Sequence, residues 1–403
     1  MPSHRSHSGP RNSAASLPCR DRKHIVAVID WNAGSNRGVL RGIRAYARDK
    51  PDWILRHTST HTPREILLQW KPDGVIAQLD EGPIMAALRR RGIPVVVVLM
   101  PHVASRPLVT TNNQAVGKLV AADFLKRGFR HFAMVGAPSV RSNRDRMAGF
   151  AAQLAAAGHK PIAYAISPRW ERRHEATGFI GWHKELQVWL KALPRPVGVF
   201  LTNDVWAREA AELCQLAGLQ VPEQVAIIGV DNDELLCEMA QPELSSVLIP
   251  WEKMGFEAAN CLDRVMNGAA ASADPVLVEP GGIVTRHSSD VMAVSEPLLA
   301  QALRFINQHA CERIHIKDVL RAVPISRRWL EWQCQRTLGR SPLREIRRVR
   351  MAKAQQLLAT TDLQLWRIAE HCAVDENKFA GIFRKETGLT PTQWRRRLSL
   401  RRN

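Results

Sequence analysis

Seven short runs of valine, isoleucine and other apolar residues, at 24–30, 74–78, 95–99, 131–136, 197–201, 225–230 and 247–250, alternate with amphipathic helical stretches. A strand that is apolar along its whole length does not suit a sheet with one wet face, where every second side chain meets water. Such runs, separated by helices, imply parallel strands covered on both faces. The span involved, 23–287, exceeds a typical domain and suits two lobes, one about 23–127 with a returning segment 245–287, the other about 128–244. Periodicity alone leaves a single eight-stranded βα barrel open as the alternative.

Polar residues gather just after several of these runs. Arg144-Asp145-Arg146-Met147 follows the fourth, Thr202-Asn203-Asp204 the fifth and Asp231-Asn232-Asp233 the sixth. Open α/β sheets bind ligands outside the carboxyl ends of their strands. Carboxylates, amides and a guanidinium brought together there offer the donors and acceptors that vicinal hydroxyls satisfy, and Trp31 or Trp170 could stack on a sugar ring. Taken singly, each residue also has a structural reading: Asp231 as a helix cap, Arg146 as a partner of Asp145, Trp170 as core.

The C-terminal stretch has a different character. From 297 to 403 there are 22 Lys/Arg against 9 Asp/Glu, a net of +13 out of the chain's +19. A polyanion is drawn to that end first, because phosphate neutralisation supplies most sequence-independent affinity for nucleic acid. Two helix-turn-helix patterns lie in it, at 316–338 and 365–388. In the first, Ser326 caps a helix whose Leu330 and Cys334 face inward. Arg327, Arg328, Glu331 and Trp332 are left facing outward, a set suited to base edges in the major groove, while Trp329 is assigned to packing. In the second, Asp375 is the cap and Phe379, Ile382 and Phe383 form the buried stripe. Its outer face holds Glu376, Asn377 and Lys378, with a bare Gly381 one turn later, so it should specify fewer base pairs. Between the copies, a helix opened by Pro342 and rich in arginine should join the two readers rigidly, about one turn of DNA apart.

The residues 368–370 (Ile-Ala-Glu), Phe379, Phe383, Arg384-Lys385, 388–391 (Gly-Leu-Thr-Pro) and Trp394-Arg395 make this region resemble the AraC/XylS-type DNA-binding domain. The resemblance adds Arg384 to the expected DNA-binding residues. It also exposes two departures, Pro324 and Cys372, where that family usually has glycine. Upstream, Gly229-Val230-Asp231-Asn232-Asp233-Glu234-Leu235 with Leu244-Ser245-Ser246-Val247, and residues 37–43, resemble the LacI/GalR and periplasmic sugar-binding type of effector domain. Within it the likeness is greatest to the XylR-like regulators of xylose operons, which end in an AraC-type reader. The resemblance implies a two-lobed α/β effector domain of the type I periplasmic-binding-protein kind followed by an all-α reader. It implies Arg146, Asn203, Asp204 and Asp231 as second-lobe ligand contacts, with Asn112 where a first-lobe aspartate is usual.

Other chemistry finds little support. The chain has no GxxxxGK[ST], HExxH or GxSxG motif, and its seven cysteines form no CxxC pair, so no catalytic residue, metal ligand or cofactor is expected. The thiols read as reduced. No apolar run of about 18 residues exists, and residues 1–22, a basic Ser- and Pro-rich tail expected to be disordered, contain no export signal. With a linker at 288–296, the expectation is a cytoplasmic, sugar-responsive regulator. It would bind double-stranded DNA and a xylose-like sugar, act as a homodimer, activate an operon and meet RNA polymerase. A sugar-processing βα enzyme carrying an accessory DNA-binding domain remains the alternative.

Overall fold

The computed structural model describes residues 22–79, 82–99, 107–167, 179–272, 274–291, 296–361 and 363–398. The expected N-terminal tail, apart from Arg22, and Trp170 lie outside them. Each apolar run becomes a strand, and the strands divide between two sheets. The first holds β1 (Lys23–Val28), β2 (Trp53–Thr58), β3 (Gly74–Ala77), β4 (Val95–Val98), β5 (Leu108–Thr111) and, from the returning chain, β11 (Val276–Val278). The second holds β6 (His131–Gly136), β7 (Ile162–Ala165), β8 (Val197–Leu201), β9 (Val225–Asp231), β10 (Ser245–Leu248) and β12 (Ile283–Val284). Their orders are β11-β5-β4-β3-β1-β2 and β12-β10-β9-β8-β6-β7. All recorded pairings are parallel except β10 with β12. Two open sheets exclude the single barrel.

The lobes divide differently from the expected 23–127, 128–244 and 245–287. Helix Asn113–Lys126 packs in the second lobe, where Val116, Val120 and Phe124 share a core with Phe132, Phe150 and Phe200. The return also starts later, since β10 stays in the second sheet and only helix Trp251–Met266 and β11 rejoin the first. Met254, Ala258 and Leu262 of that helix meet Ile25, Val39 and Val96.

Glycines fix these helix positions. A Cβ on Gly117 would lie 1.9 Å from the Arg146 carbonyl oxygen, and one on Gly149 2.1 Å from that of Gln114. Helices Asn113–Lys126 and Arg141–Ala156 thus touch backbone to backbone, which only glycine permits. The first lobe repeats the device, with Gly42 against Glu252 and Gly255 against Val39.

The expected linker at 288–296 begins inside folded structure. Ser288 and Ser289 are fully buried, and Ser288 Oγ donates to the Ile227 carbonyl at 2.7 Å. Helix Pro297–His309 then opens the reader. Two small cores follow. Leu299, Ile306, Val319, Leu330 and Cys334 form the first, and Ile368, Cys372, Phe379 and Phe383 belong to the second. Helix Pro342–Thr360 belongs to both, giving Ile346 and Val349 to one and Met351, Ala354 and Leu358 to the other. That shared helix makes the two readers a unit.

Candidate functional site

The cleft chemistry is assembled at the carboxyl ends of the second-lobe strands. Arg146, from the helix after β6, is 94% removed from solvent. Its Nε donates to Asn113 Oδ1 at 2.9 Å, its Nη1 donates to the Thr202 carbonyl at 2.5 Å, and its Nη2 lies 3.5 Å from Asp231 Oδ1. Asp145, its alternative partner from the sequence, instead faces Arg141. Asp231 ends β9 with φ +111°, and Asn232 follows at +50°. Two left-handed non-glycine residues in succession cost on the order of 1–3 kcal/mol each and persist only where the surroundings hold them. Here the Asn232 amide donates to Ser246 Oγ at 3.0 Å, and Arg286 Nη1 donates to Asn232 Oδ1 at 3.0 Å.

Asp204 lies beneath this turn, 1% exposed. It accepts from Ser246 Oγ at 2.6 Å, from the Asp233 amide at 2.9 Å and from the Cys237 thiol at 3.6 Å. Burial, and then the charge of Asp231, hold its carboxyl well above the usual carboxylate range, while those donors pull it back. Asp231 keeps 28% of its side-chain exposure. Burial pushes it up to about 6, Arg146 opposes that rise and Asp233 adds to it. A guanidinium donor beside carboxyls of high proton affinity can both give hydrogen bonds to hydroxyl groups and accept them.

Of the expected ligand residues, Arg146, Asp204 and Asp231 converge. Asn203 caps helix Asp204–Leu216 by accepting from the Trp206 amide at 2.8 Å, next to the Thr202 carbonyl that Arg146 holds. Asn112 caps helix Asn113–Lys126 and donates to Glu279 Oε1 at 2.7 Å, so it ties that helix to the returning chain without touching the Arg146 cluster. Trp31 is 70% exposed beyond β1, its ring 5.7 Å from His57. Sequence reasoning missed Asn113, Ser246 and Arg286. Ser246 lay inside the Leu-Ser-Ser-Val signature, and Asn113 was hidden by its neighbour Asn112. The lobes approach at Gly34, where a Cβ would lie 2.4 Å from Asp233 Oδ2 of the second lobe.

The reading faces are built as their caps predict. Ser326 accepts from the Trp329 amide at 3.2 Å and opens helix Arg327–Leu338, with Leu330 and Cys334 fully buried and Trp329 packed on their core. Arg327, Arg328, Glu331 and Trp332 are exposed. Arg327 Nε pairs with Glu331 Oε1 at 2.9 Å, and Arg336 lies over the Trp332 ring at 5.0 Å. An exposed pair of that kind is worth only about 0.3–0.5 kcal/mol and is readily exchanged for base edges. In helix Glu376–Thr387, Asp375 accepts from the Asn377 and Lys378 amides at 3.0 and 3.3 Å. Glu376, Asn377, Lys378 and Arg384 are exposed, and Gly381 faces open space.

The turns tolerate the missing glycines in two ways. Val323 is extended (φ −129°, ψ 129°) and its amide bonds to Val319, so Pro324 meets no demand for a left-handed residue. In the second copy Ala373 takes that conformation, at φ +50°. Part of the basic charge also turns inward. Arg348 pairs with Glu345 and Asp290, and Arg350 donates to the Ala310 carbonyl at 2.8 Å. Burial pushes the thiols of Cys214, Cys334 and Cys372 up to about 12, so they are not nucleophiles near neutral pH. Among the described residues no cluster of His, Cys, Asp or Glu has metal-ligand geometry, and no helix is long and apolar enough to cross a membrane.

Residues 121–289 match the family model of the periplasmic binding protein-like domain, and residues 319–397 that of a helix-turn-helix domain. With the fold and the two exposed reading helices, these matches define a DNA-binding transcription regulator whose effector domain precedes its reader. The chain is similar to the xylose operon regulatory proteins over most of its length. It is 27% identical over 392 residues to that of Haemophilus influenzae, covering 92% of this chain and 97% of the other. Against that of Escherichia coli K12 the figures are 27% over 389 residues, 93% and 97%. A solved structure of the xylose-binding transcription activator xylR aligns with a TM-score of 0.60 at 27% identity, covering 93% of this chain and 98% of the other. These relatives are regulators, not enzymes.

Proposed function

We propose that the chain is a cytoplasmic, sugar-responsive activator that turns on an operon for use of D-xylose or a related pentose. The single observation behind this reading is the buried array of Arg146, Asp204 and Asp231 at the strand ends, in the same chain as two exposed reading helices. Arg146 and Asp231 serve as donor and acceptor for adjacent sugar hydroxyls, Asp204 and Asn203 complete the second-lobe side, and Asn112 and Trp31 contribute from the first-lobe edge. Asn113, Thr202 and Ser246 hold the charged groups in place. Bound sugar draws the lobes together near Gly34 and Asp233. Two chains associate as a homodimer, and closure changes the separation of their readers. Ser326, Arg327, Arg328, Glu331 and Trp332 read one half of each site; Glu376, Asn377, Lys378 and Arg384 read the other, with RNA polymerase recruited alongside.

Thermal unfolding across a panel of pentoses and hexoses tests the ligand class, because a ligand that binds only the native state raises Tm by mass action. D-xylose or a close relative is expected to raise it, and calorimetric titration is expected to show that binding lost in Asp231→Ala while DNA binding without sugar persists. Sugar titration that is unchanged in Asp231→Ala refutes the site, and a panel without any response refutes the ligand class.

A further inference from the structure

The effector domain and the reader meet around a cavity of about 620 Å³, walled by helix Asn113–Lys126, residues 281–285, helix Pro342–Thr360 and Trp394. Beside this loosely packed joint, one carboxylate is held by both sides. Asp290 Oδ1 lies 3.6 Å from Arg127 Nη1 of the effector domain and 3.5 Å from Arg348 Nη2 of the reader. The Asp290 carbonyl also accepts from Asn307 Nδ2 of helix Pro297–His309 at 2.5 Å. We propose that Asp290 is the positioning residue through which the state of the cleft sets the placement of the reader, an inference that rests on the sugar-responsive reading above.

Two routes lead from the cleft to Asp290. Helix Asn113–Lys126 begins at Asn113, which holds Arg146, and ends at Arg127. The Arg127 guanidinium is nearly buried and reaches Asp123 at 2.6 Å, the Ser289 carbonyl at 2.8 Å and Thr285 Oγ1 at 3.1 Å. A displacement of this helix by a ligand at Arg146 therefore arrives at Asp290. The second route starts at Asn232, beside Asp231. Arg286 grips Asn232, and two residues later Ser288 is bonded to the Ile227 carbonyl and to the Ser245 amide at 2.8 Å.

On the reader side, Arg348 Nη2 meets Glu345 Oε1 at 2.8 Å, and Arg340 Nε meets Glu345 Oε2 at 2.5 Å. Arg340 directly follows Gly339, the residue that ends helix Arg327–Leu338. The ion chain Arg127, Asp290, Arg348, Glu345, Arg340 thus runs from the effector helix to the end of the first recognition helix. Glu345 is 1% exposed, and a buried charge stripped of its partner is costly, so separating these members is penalised. Among the described residues a second ion pair joins the domains, Arg304 with Glu223, and it is more exposed.

The test uses the full chain and a duplex enriched from a random DNA library. Saturating D-xylose is expected to change the DNA affinity of the unmodified chain by about 5- to 150-fold, the usual range of allosteric coupling. Asp290→Asn should keep both separate bindings while the sugar-dependent ratio falls below about 2-fold, and Glu223→Gln should keep the ratio. Independently of any sugar, Asn113→Ala should alter DNA affinity in the unmodified background and not in Asp290→Asn. Additive effects in that cycle, a full ratio in Asp290→Asn, or equal loss in Glu223→Gln each overturn the proposal. A non-additive cycle with no sugar response overturns the sugar reading and supports the role of Asp290.

Discussion

Replacing Gly149 with alanine asks whether the backbone contact between two helices positions the cleft. In an unobstructed helix interior, Gly→Ala stabilises by about 1 kcal/mol. At Gly149, however, the added carbon would sit 2.1 Å from the Gln114 carbonyl oxygen and 2.8 Å from its carbon, both backbone atoms that cannot swing away. Ordinary contact requires about 3.5 Å, so the helices must part by roughly 1 Å. Overpacking of this kind costs about 1–3 kcal/mol, enough to cancel or exceed the propensity gain. At about 2–4 °C per kcal/mol for a lobe-sized domain, a net loss of up to about 2 kcal/mol lowers Tm by as much as roughly 8 °C. The same movement stretches the 2.9 Å bond from Arg146 to Asn113. Loss of one hydrogen bond to a charged group, about 1.5 kcal/mol or more, weakens sugar binding roughly tenfold or more. Gly381→Ala is the matched control: the glycine is helical, with open space around it, so the change should stabilise the reader by about 1 kcal/mol. Differential scanning calorimetry of both variants with D-xylose titrations decides the matter. A Gly149→Ala protein with undiminished Tm and undiminished sugar affinity would show that this helix contact does not position the cleft.

Ala373→Gly removes the left-handed alanine of the second turn and should stabilise the reader by about 1 kcal/mol; a drop in its melting temperature would contradict that. Arg328→Ala should cost about 1–3 kcal/mol and relax preference at one base position if the exposed guanidinium grips a base, whereas a uniform loss over all sequences would assign it to phosphate. Asp231, faced by Asp204, Asp233 and Arg146, is an acid whose pKa is raised to about 6. Its protonation favours the fold fully below about pH 4, and that gain is lost as pH rises through about 6. Asp231→Asn should therefore stabilise by about 1–3 kcal/mol at pH 7.5 and by little at pH 4, a pattern checked by urea unfolding at the two pH values and contradicted by a variant less stable at both.

The sequence exposed the buried strands because burial on both faces writes itself as a continuous apolar run: β1, β3, β4, β6, β8 and β9 were all legible this way. Two of the strands it concealed are ones that packing leaves partly wet. In β2, Leu55, Arg56 and His57 are exposed, and so are Ile162, Ala163 and Ala165 of β7; both strands lie at sheet edges. β5 is short and half threonine. The lobe of helix Asn113–Lys126 was hidden for another reason: it depends on the approach of Gly117 to Arg146, a long-range contact with no local pattern. In the cleft, Arg146, Asp204 and Asp231 stood out by following strands, yet the residues that aim them are ordinary asparagines and serines. Net charge placed the reader correctly but overstated its DNA-facing surface, because Arg348 and Arg350 bind the protein itself.

The central question is whether a sugar alters DNA binding by this one chain. Selection of duplexes from a random library by the full chain, followed by affinity measurements on the enriched sequence with and without saturating D-xylose, reads that out. The expected result is an enriched site with two halves about one helical turn apart and an affinity that shifts at least about fivefold with the sugar. An enriched site bound equally well with and without every sugar of the panel would contradict it.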